Sequence, residues 1–523
     1  MWKRKNIKKN AIALIKSGYG RMISVCFLIA MLTTAYAVST TFLNLQLSSG
    51  RPQTDAAYTP SLSNSEVLLD TLREFLEQTP AASVIHGVPA DISSLLVDLF
   101  STNLSVFFSL LRAAHLFLDG GFSIMLLFPV LGILILFLYQ IFISNILIVG
   151  EKRFFLEIRK YPRTPVSKIF CLYKLRCIRR PSWVMLCRSV FQFFWNFTIA
   201  GGIIKHYEYI LIPYILAENP KACRKDVFCL SKQLMKKNKW KFFLLDLSFL
   251  GWKILSVFTL GLLDFLFVNP YLAACRAELY AVLRRNYVLS RSPGYEILND
   301  SYLEHVPSED ELLISKALYD DSQGPYTRIS YFEPEQYPVF LFSVQPPLRA
   351  VKSPVRAERK YDVLSYLFLF LIFSVFGWLL ETLLRLVNDG VYASDTLLHG
   401  PWIPVYGAYG ILILLISRHL IRRPVLVFAV NAALYTLVEY LANTASVLTH
   451  GSSLRDYSNF LLNLDGRVYL GGSVTFALLG CAFLYYLAPR WADRYMKLGH
   501  SWRIFVCVVL YILLIADLVW SVR

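Results

Sequence analysis

Two acidic residues inside apolar runs are the first candidates for chemistry in this sequence. Glu381 lies in FGWLLETLLR and Glu439 in LYTLVEYLAN, and each run is long enough to cross a bilayer. A carboxylate in such a run is costly, so it is a candidate site for a cation, a proton or a polar substrate. The alternative is a structural hydrogen bond between helices. The sequence leaves both interpretations open.

A short polar loop follows the second of these runs and adds three candidates. It reads RDYSNFLLNLDGRVYLGGS (455–473), with Asp456, Asn463 and Arg467 in otherwise apolar surroundings. Asp456 and Arg467 carry opposite charges and could pair, whereas Asn463 and Gly466 are typical of a turn. Two interpretations stay open here as well: the loop contacts a substrate as a lid, or it fixes itself against the helices.

The segment LHGPWIPVYGAYG (398–410) adds His399 and Tyr406. Pro401 and Pro404 restrict the backbone and lack N–H donors that a helix start leaves free anyway. Glycines permit close contact between helices, and aromatic rings suit a membrane interface. The pattern predicts a rigid, tightly packed half-helix near the outer surface of a membrane. The substrate or ion candidates are therefore Glu381, Glu439, His399, Tyr406, Asp456, Asn463 and Arg467.

Three further ionisable groups are predicted to have structural roles. Asp246 and Lys253 are seven residues apart, so they share one helix face and are predicted to form an intramembrane pair, directly or through a neighbour. Asp517 lies close to the end of the last apolar run, where it is expected to reach water.

Motifs for several reaction classes are absent from the sequence. It contains no GxxxxGK[ST], HExxH or GxSxG pattern, so no ATPase, protease or hydrolase motif is found. The nine cysteines include no CxxC pair, which argues against a disulfide framework and a zinc site. No cofactor or metal is expected, and an enzymatic role is less favoured than a non-enzymatic one.

Composition identifies the class of protein. Of 523 residues 56% are hydrophobic and 17% are charged, whereas soluble domains have about 25% charged residues. The net charge of +17 comes from short basic segments between apolar runs, which is the positive-inside pattern rather than a nucleic-acid surface. We therefore expect a multi-pass membrane protein with a cytoplasmic N-terminus and linker and an outer C-terminus.

The expected fold is all-α and polytopic, with about nine transmembrane helices and one re-entrant or bent segment, in two helical bundles joined by a soluble linker. The N-terminal domain is 1–287, the cytoplasmic linker 288–360 and the five-helix C-terminal domain 361–523. An amphipathic outer segment is expected at 44–122, and the bent segment at 183–217. The predicted spans are 22–43, 123–149, 242–263, 265–283, 363–386, 403–417, 425–447, 469–487 and 504–520.

The N-terminal sequence is interpreted in two ways, as a secretory signal or as an uncleaved anchor. A basic start and an apolar run that ends near Ala35-Tyr36-Ala37 are typical of a secretory signal. The long basic segment and the apolar character that continues through Leu43 favour an uncleaved anchor.

Several short sequence blocks, in the same order along the chain, resemble two known families. GWLLET (377–382), LHGPWIPVYGAYG, VEYL (438–441) and DYSNFLLNLDGR (456–467) resemble the ABC-transporter type IV permease family known as CmpB-like. Blocks within 207–280, among them YEYILIPYILAENP, resemble the bacterial membrane family of unknown function 975. The resemblances imply a bacterial cytoplasmic-membrane protein, without a firm biochemical activity.

Three functional hypotheses follow. The first is a permease-like transport component that works with a separate ATPase, because the chain lacks an ATPase motif of its own. The second is a non-transporting scaffold or envelope assembly factor, and the third is an intramembrane enzyme on a lipid substrate, for which Asp456, Arg467 and His399 would have to converge. Candidate partners are the lipid bilayer, an ATPase subunit and a second copy of the chain, but no nucleic acid.

Overall fold

The computed structural model describes a set of helical segments separated by gaps. The described residues are 3–33, 131, 134–135, 137–162, 164–196, 198–258, 263–306, 308, 310, 361–389, 398–421, 423–450, 457–458 and 463–522. The amphipathic segment predicted at 44–122, linker residues 311–360 and Asp456 lie outside them. Helices account for nearly all regular structure in these segments, which confirms the all-α prediction.

The described residues belong to two compact units, and the first comprises residues 3–33 and those within 137–310. A hydrophobic core made from all of its main helices holds this unit together. Its helices are α1 (Arg4–Leu32), α2 (Asn145–Ile158), α3 (Cys171–Lys174), α4 (Arg179–Asn196), α5 (Ile199–Tyr209), α6 (Ile212–Glu218), α7 (Arg224–Met235), α8 (Lys239–Leu247), α9 (Leu250–Phe258) and α10 (Asn269–Leu289).

The first helix begins much earlier than the span predicted at 22–43. It starts at Arg4, because Ile7, Ala11 and Leu14 are buried at helical spacing while the basic residues between them face outward. This face packs against α10. Hydropathy alone placed the start of the helix at the first uninterrupted apolar run, and so missed an amphipathic extension of five turns.

The second helix also extends past its predicted limit. The span predicted at 123–149 continues as α2 to Ile158 and carries Glu151, Arg153 and Glu157 into the core. These charged residues are tolerated because oppositely charged side chains accompany them, as described below. The basic segment that follows the predicted span therefore begins as buried helix.

Two predicted apolar segments are interrupted. The stretch 183–217 consists of α4, α5 and α6, so its bent form is confirmed, whereas its entry into a membrane stays a prediction. The span predicted at 242–263 is broken between α8 and α9, where the Ser248 hydroxyl donates to the Leu245 carbonyl oxygen at 2.5 Å. A serine that bonds its own backbone competes with helix continuation.

The second unit includes residues 361–522. Five of its helices lie close to the five predicted spans, and a sixth, Ala488–Met496, was not predicted. The helices are α11 (Val363–Asp389), α12 (Pro404–Ile416), α13 (Pro424–His450), α14 (Leu470–Ala482), α15 (Ala488–Met496) and α16 (His500–Val522), and a short antiparallel hairpin of β1 (Asn463–Leu464) and β2 (Val468–Tyr469) precedes α14. A π-helical turn, Phe483–Leu487, joins α14 to α15.

Among the described residues, five helices are long and apolar enough to cross a membrane. They are Arg4–Leu32, Val363–Leu383, Pro424–Leu448, Leu470–Met496 and His500–Ser521, and Pro404–Leu420 is a shorter apolar helix. The structure thus supports a multi-pass membrane protein, with four of the five candidate spans in the C-terminal unit.

Candidate functional site

Three aromatic rings from three helices stack at the centre of the C-terminal unit. The ring of Phe476 on α14 contacts those of Tyr406 on α12 and Tyr435 on α13, with centroid distances of 4.4 and 4.5 Å, and the two tyrosine rings are 6.4 Å apart. Both tyrosines are almost wholly buried. Offset or parallel ring contacts of this kind add to the energy of burial, so the stack fixes the relative positions of these helices.

Glycine residues allow α11 and α12 to approach this stack. A Cβ atom at Gly377 would lie 2.1 Å from the Cδ2 atom of Tyr406, and one at Gly407 would lie 2.8 Å from the Phe370 carbonyl oxygen. Only glycine fits at these contacts. The predicted tight packing of the 398–410 segment is therefore present in the structure.

The two glutamates that lie on candidate membrane spans each accept a hydrogen bond from a tyrosine hydroxyl. Glu381 lies one turn beyond Gly377 on α11, and its Oε2 accepts a hydrogen bond from the Tyr406 hydroxyl at 3.3 Å. Glu439 lies one turn beyond Tyr435 on α13, and its Oε1 accepts from the Tyr457 hydroxyl at 3.4 Å. Both carboxylates are thus held by phenol groups within helices that are otherwise apolar.

The predicted turn is formed by the β1–β2 hairpin. The Gly466 N–H donates to Asn463 Oδ1 at 3.0 Å, and Asp465 and Gly466 both have positive φ angles. Asp-Gly is a favoured pair for such a tight hairpin turn. The turn also ties itself to α13, because the Tyr440 hydroxyl donates to Asp465 Oδ2 at 2.9 Å.

Arg467 is engaged with α13 as well. Its guanidinium donates to Thr444 Oγ1 at 2.7 Å and lies 5.1 Å from the centre of the Tyr440 ring. The Asn443 amide donates to the Arg467 carbonyl oxygen at 2.7 Å. These contacts support the interpretation in which the loop is fixed against the helices. The predicted pairing with Asp456 lies outside the described residues.

His399 lies in a different environment from Arg467. Its ring is 69% exposed, with Nδ1 at 3.6 Å from Asp517 Oδ1 and at 3.1 Å from the Ser521 hydroxyl. Asp517 also accepts hydrogen bonds from the backbone N–H groups of His399 and Gly400 and, at 2.8 Å, from the Trp402 indole. Asp517 therefore organises the loop that precedes α12 instead of simply reaching water, as the sequence suggested.

The Asp517→Asn variant is expected to loosen this loop. An amide offers one acceptor oxygen where the carboxylate offers two, and hydrogen bonds to a charged group contribute about 1.5–3 kcal/mol each. Hydrogen exchange of the His399 and Gly400 amides should accelerate about tenfold or more. Ser521→Ala, which removes only the contact with the imidazole, is the matched control and should leave these amides unchanged. Equal exchange in all three proteins would contradict the assigned role.

The described contacts of Asp246 do not include a direct pair with Lys253, and pairing through a neighbour stays a prediction. Asp246 instead binds Arg276 of α10, with Nη2 to Oδ1 at 3.1 Å, and accepts from the Tyr207 hydroxyl at 3.4 Å. The break between α8 and α9 removes the common helix face on which the prediction depended. Lys253 lies near Asp264 and acts electrostatically on it.

A buried ionic network in the N-terminal unit was not predicted at all. Arg153 binds Glu157 one turn away and Asp300 at 2.5 Å, while Arg284 binds Glu218 at 2.7 Å. Asp300 connects the two pairs, because its N–H donates to Glu218 and its carbonyl oxygen accepts from Arg284. Residues after α10, assigned from sequence to the linker, are thereby fastened to the N-terminal unit.

Burial sets the electrostatics of this network. Glu218 is fully enclosed, so burial raises the pKa of its carboxyl group, while Arg284 opposes the shift. The Tyr280 hydroxyl donates a further hydrogen bond to Glu218 at 2.9 Å. No single residue type signals such a network, because its members come from segments up to 147 positions apart in the sequence.

Across the described segments, no cluster of three or more His, Cys, Asp or Glu side chains is arranged to hold a metal ion. The C-terminal unit instead combines an aromatic stack with two carboxylates that accept hydrogen bonds from tyrosine hydroxyls.

Comparisons with known proteins match two parts of the chain to two different families. Residues 1–287 match the family model described as "Protein of unknown function (DUF975)", which covers more than half of the chain. Residues 368–522 match the model described as "Putative ABC-transporter type IV". No curated protein and no solved structure matches the chain. The second match and the apolar helices support a transporter-like role in a membrane.

Proposed function

This chain belongs to the family described as "Protein of unknown function (DUF975)", and we propose that it is a permease-like membrane subunit of a bacterial transporter that works with a separate ATPase. Under this proposal it spans the cytoplasmic membrane about nine times in two bundles, with its N-terminus inside and its C-terminus outside. The C-terminal unit, which matches the transporter family, would carry the substrate path.

The observation that carries the proposal is the position of Glu381 and Glu439. Both lie on candidate membrane spans, where a carboxylate is costly and commonly marks a route for ions or polar substrates. The Tyr406 hydroxyl contacts Glu381 directly, and Glu439 lies one turn beyond Tyr435, which belongs to the same aromatic stack. Two carboxylates on apolar helices beside these aromatic rings suit the passage of a cation, a proton or a polar solute.

A surface of the N-terminal unit suits the ATPase partner. The helix α7 and the residues after it expose Lys225, Lys232, Lys236 and Lys237, and the Trp240 side chain beside them is 68% exposed. Basic groups around an exposed aromatic side chain favour a partner with an acidic surface and an apolar pocket. The basic residues of this segment predict, by the positive-inside rule, that it is cytoplasmic, where ATP is available.

The test is ATP hydrolysis by the full chain reconstituted in liposomes with an ATPase that co-purifies with it. Hydrolysis by the complex should fall about tenfold or more in Glu381→Gln/Glu439→Gln, since a hydrogen bond to a charged group contributes about 1.5–3 kcal/mol. Glu296→Gln, at an exposed position, is the matched control and should keep full activity. Lys232→Glu/Lys236→Glu should lose the ATPase during purification.

Two outcomes would overturn the proposal. One is failure of the chain to bind or stimulate any ATPase. The other is full stimulation by the double glutamine variant. A stable partner whose function survives both glutamine substitutions would instead favour the scaffold hypothesis. The enzyme hypothesis receives no support from the described contacts, because His399 and Arg467 contact different helices.

A further inference from the structure

Helices α4 and α5 form an antiparallel hairpin in the N-terminal unit. The Gln192 amide of α4 donates to the Gly202 carbonyl oxygen of α5 at 3.0 Å, and Gly201 packs directly on the Trp195 ring. One turn further from the hairpin bend, the position on α4 is Arg188 and the position on α5 is His206. The register therefore places these two side chains opposite each other.

Arg188 differs from the other enclosed arginines of this unit. Arg153, Arg276 and Arg284 each bind a carboxylate. Arg188 is partly buried, yet within the part of the chain that the structure describes no hydrogen bond or ion pair engages it. A guanidinium withdrawn from water without an anion costs free energy, so a partner from outside the chain is the simplest compensation.

The surroundings of Arg188 are positive. The charges of Arg188 and Arg276 both act on the imidazole of His206, which is itself buried. Asp246 is already bound to Arg276 and to the Tyr207 hydroxyl. Arg188 and Arg276 carry two positive charges and Asp246 carries one negative charge, so at least one positive charge at the hairpin is not compensated.

The neighbouring carboxylate does not neutralise this excess. Glu208 binds Lys205 at 2.7 Å and also Lys239, so its own charge is more than matched. The Ser231 hydroxyl donates to the Glu208 carbonyl oxygen, which fixes the residue on the α7 side of α5.

We propose that Arg188 and His206, with Arg276 beside them, form a binding site for a phosphate group. A guanidinium presents paired N–H donors that match two phosphate oxygens, and the His206 imidazole and the positive charge of Arg276 lie beside it. All of its residues belong to the N-terminal unit, whereas the proposed transport path is assigned to the C-terminal unit.

The head group of an anionic phospholipid is the source that the surroundings favour. Trp183, Phe194 and Ile204 of the same hairpin are 57%, 64% and 50% exposed. Large apolar side chains turned outward beside a basic site are the arrangement that binds acyl chains and head group together. A free phosphate anion shares the chemistry of the head group and is distinguished from it by experiment.

The test uses the full chain purified in detergent, with its unfolding midpoint measured after addition of phosphatidylglycerol, phosphatidylcholine or inorganic phosphate. Phosphatidylglycerol should raise the midpoint by about 2–4 °C, and phosphatidylcholine should not. Arg188→Gln should lose this shift, whereas Arg188→Lys should keep part of it. Arg179→Gln, an exposed arginine on the same helix, should respond like the native protein.

One further readout separates a binding site from a structural role. Without lipid, Arg188→Gln should unfold at a midpoint equal to or above that of the native chain, because it removes an unpaired cation. Native mass spectrometry of the unsubstituted chain should show retained phosphatidylglycerol, so the proposal stays testable even if the variant fails to fold.

The response to inorganic phosphate distinguishes a soluble anion from a lipid head group. An equal shift with inorganic phosphate supports the site and assigns it to a soluble anion. The proposal is overturned if neither anion shifts the midpoint, if Arg188→Gln responds fully, or if the native chain releases phosphatidylglycerol as readily as phosphatidylcholine.

Discussion

Gly150→Ala is expected to destabilise the N-terminal unit by about 3 kcal/mol, at the upper end of the range for overpacked cores. Gly150 lies on α2 where the helix touches the turn Val166–Phe170, and an added Cβ would stand 1.9 Å from the Ile169 carbonyl oxygen. The obstacle is backbone, so no rotamer change relieves it. Either the turn or the helix must move, and both belong to the same core.

Gly20→Ala is the matched control for this prediction. It makes the same chemical change within helix α1, at a position where nothing lies within 4 Å of the added atom. Alanine there should stabilise the protein by about 0.5–1 kcal/mol, because glycine loses more backbone entropy in a helix. Chemical unfolding in detergent, followed by tryptophan fluorescence, measures both variants. A Gly150→Ala protein as stable as Gly20→Ala would show that the contact between α2 and the turn is not as close as described.

The apolar helices of the C-terminal unit were the most predictable part of the fold. Their runs are long, and turn residues or basic segments separate them, so hydropathy located α11, α12, α13, α14 and α16 with small errors at the ends, whereas α15 lies in a segment that the sequence did not assign to a span. The N-terminal unit was harder because its helices carry charges inward. A window of hydropathy ends at Glu151, although α2 continues with its charged residues buried against partners from distant segments.

The candidate site was predictable only in part. Glu381 and Glu439 were identifiable because a carboxylate in an apolar run has few alternatives. The ring stack was not, since Tyr406, Tyr435 and Phe476 come from three helices and aromatic residues are common in such runs. For Asp246, helical spacing predicted Lys253 as the partner. The chain turns between these two residues, and the partner in the structure is Arg276, which comes from another helix.

Arg284→Met is expected to destabilise the N-terminal unit by about 3–5 kcal/mol, the cost of leaving a buried charge without its partner. Arg284 donates two hydrogen bonds to Glu218 and also binds the carbonyl oxygens of Leu298 and Asp300. Methionine fills a similar volume, so the loss of charge and hydrogen bonds dominates the effect. The measurement is again the free energy of unfolding in detergent.

Two comparisons isolate the ion pair in that measurement. Arg285→Met changes the neighbouring arginine, which is 52% exposed and bound to Glu304, and should cost about 0–1 kcal/mol. Glu218→Gln/Arg284→Met removes both charges and should be clearly less destabilising than the sum of the single variants. Strict additivity would mean that Glu218 and Arg284 are not coupled in the folded protein.

The same substitution should release the segment that follows α10. Asp300 is held by Glu218, Arg284 and Arg153 together, and the three contacts keep residues 295–303 against the N-terminal unit. When Arg284 is lost, the remaining carboxylates repel each other and the segment becomes a protease substrate. Limited proteolysis should therefore cut Arg284→Met between 290 and 306 before the helices unfold, and should spare Arg285→Met. Simultaneous cleavage throughout the unit would instead assign the network to global stability alone.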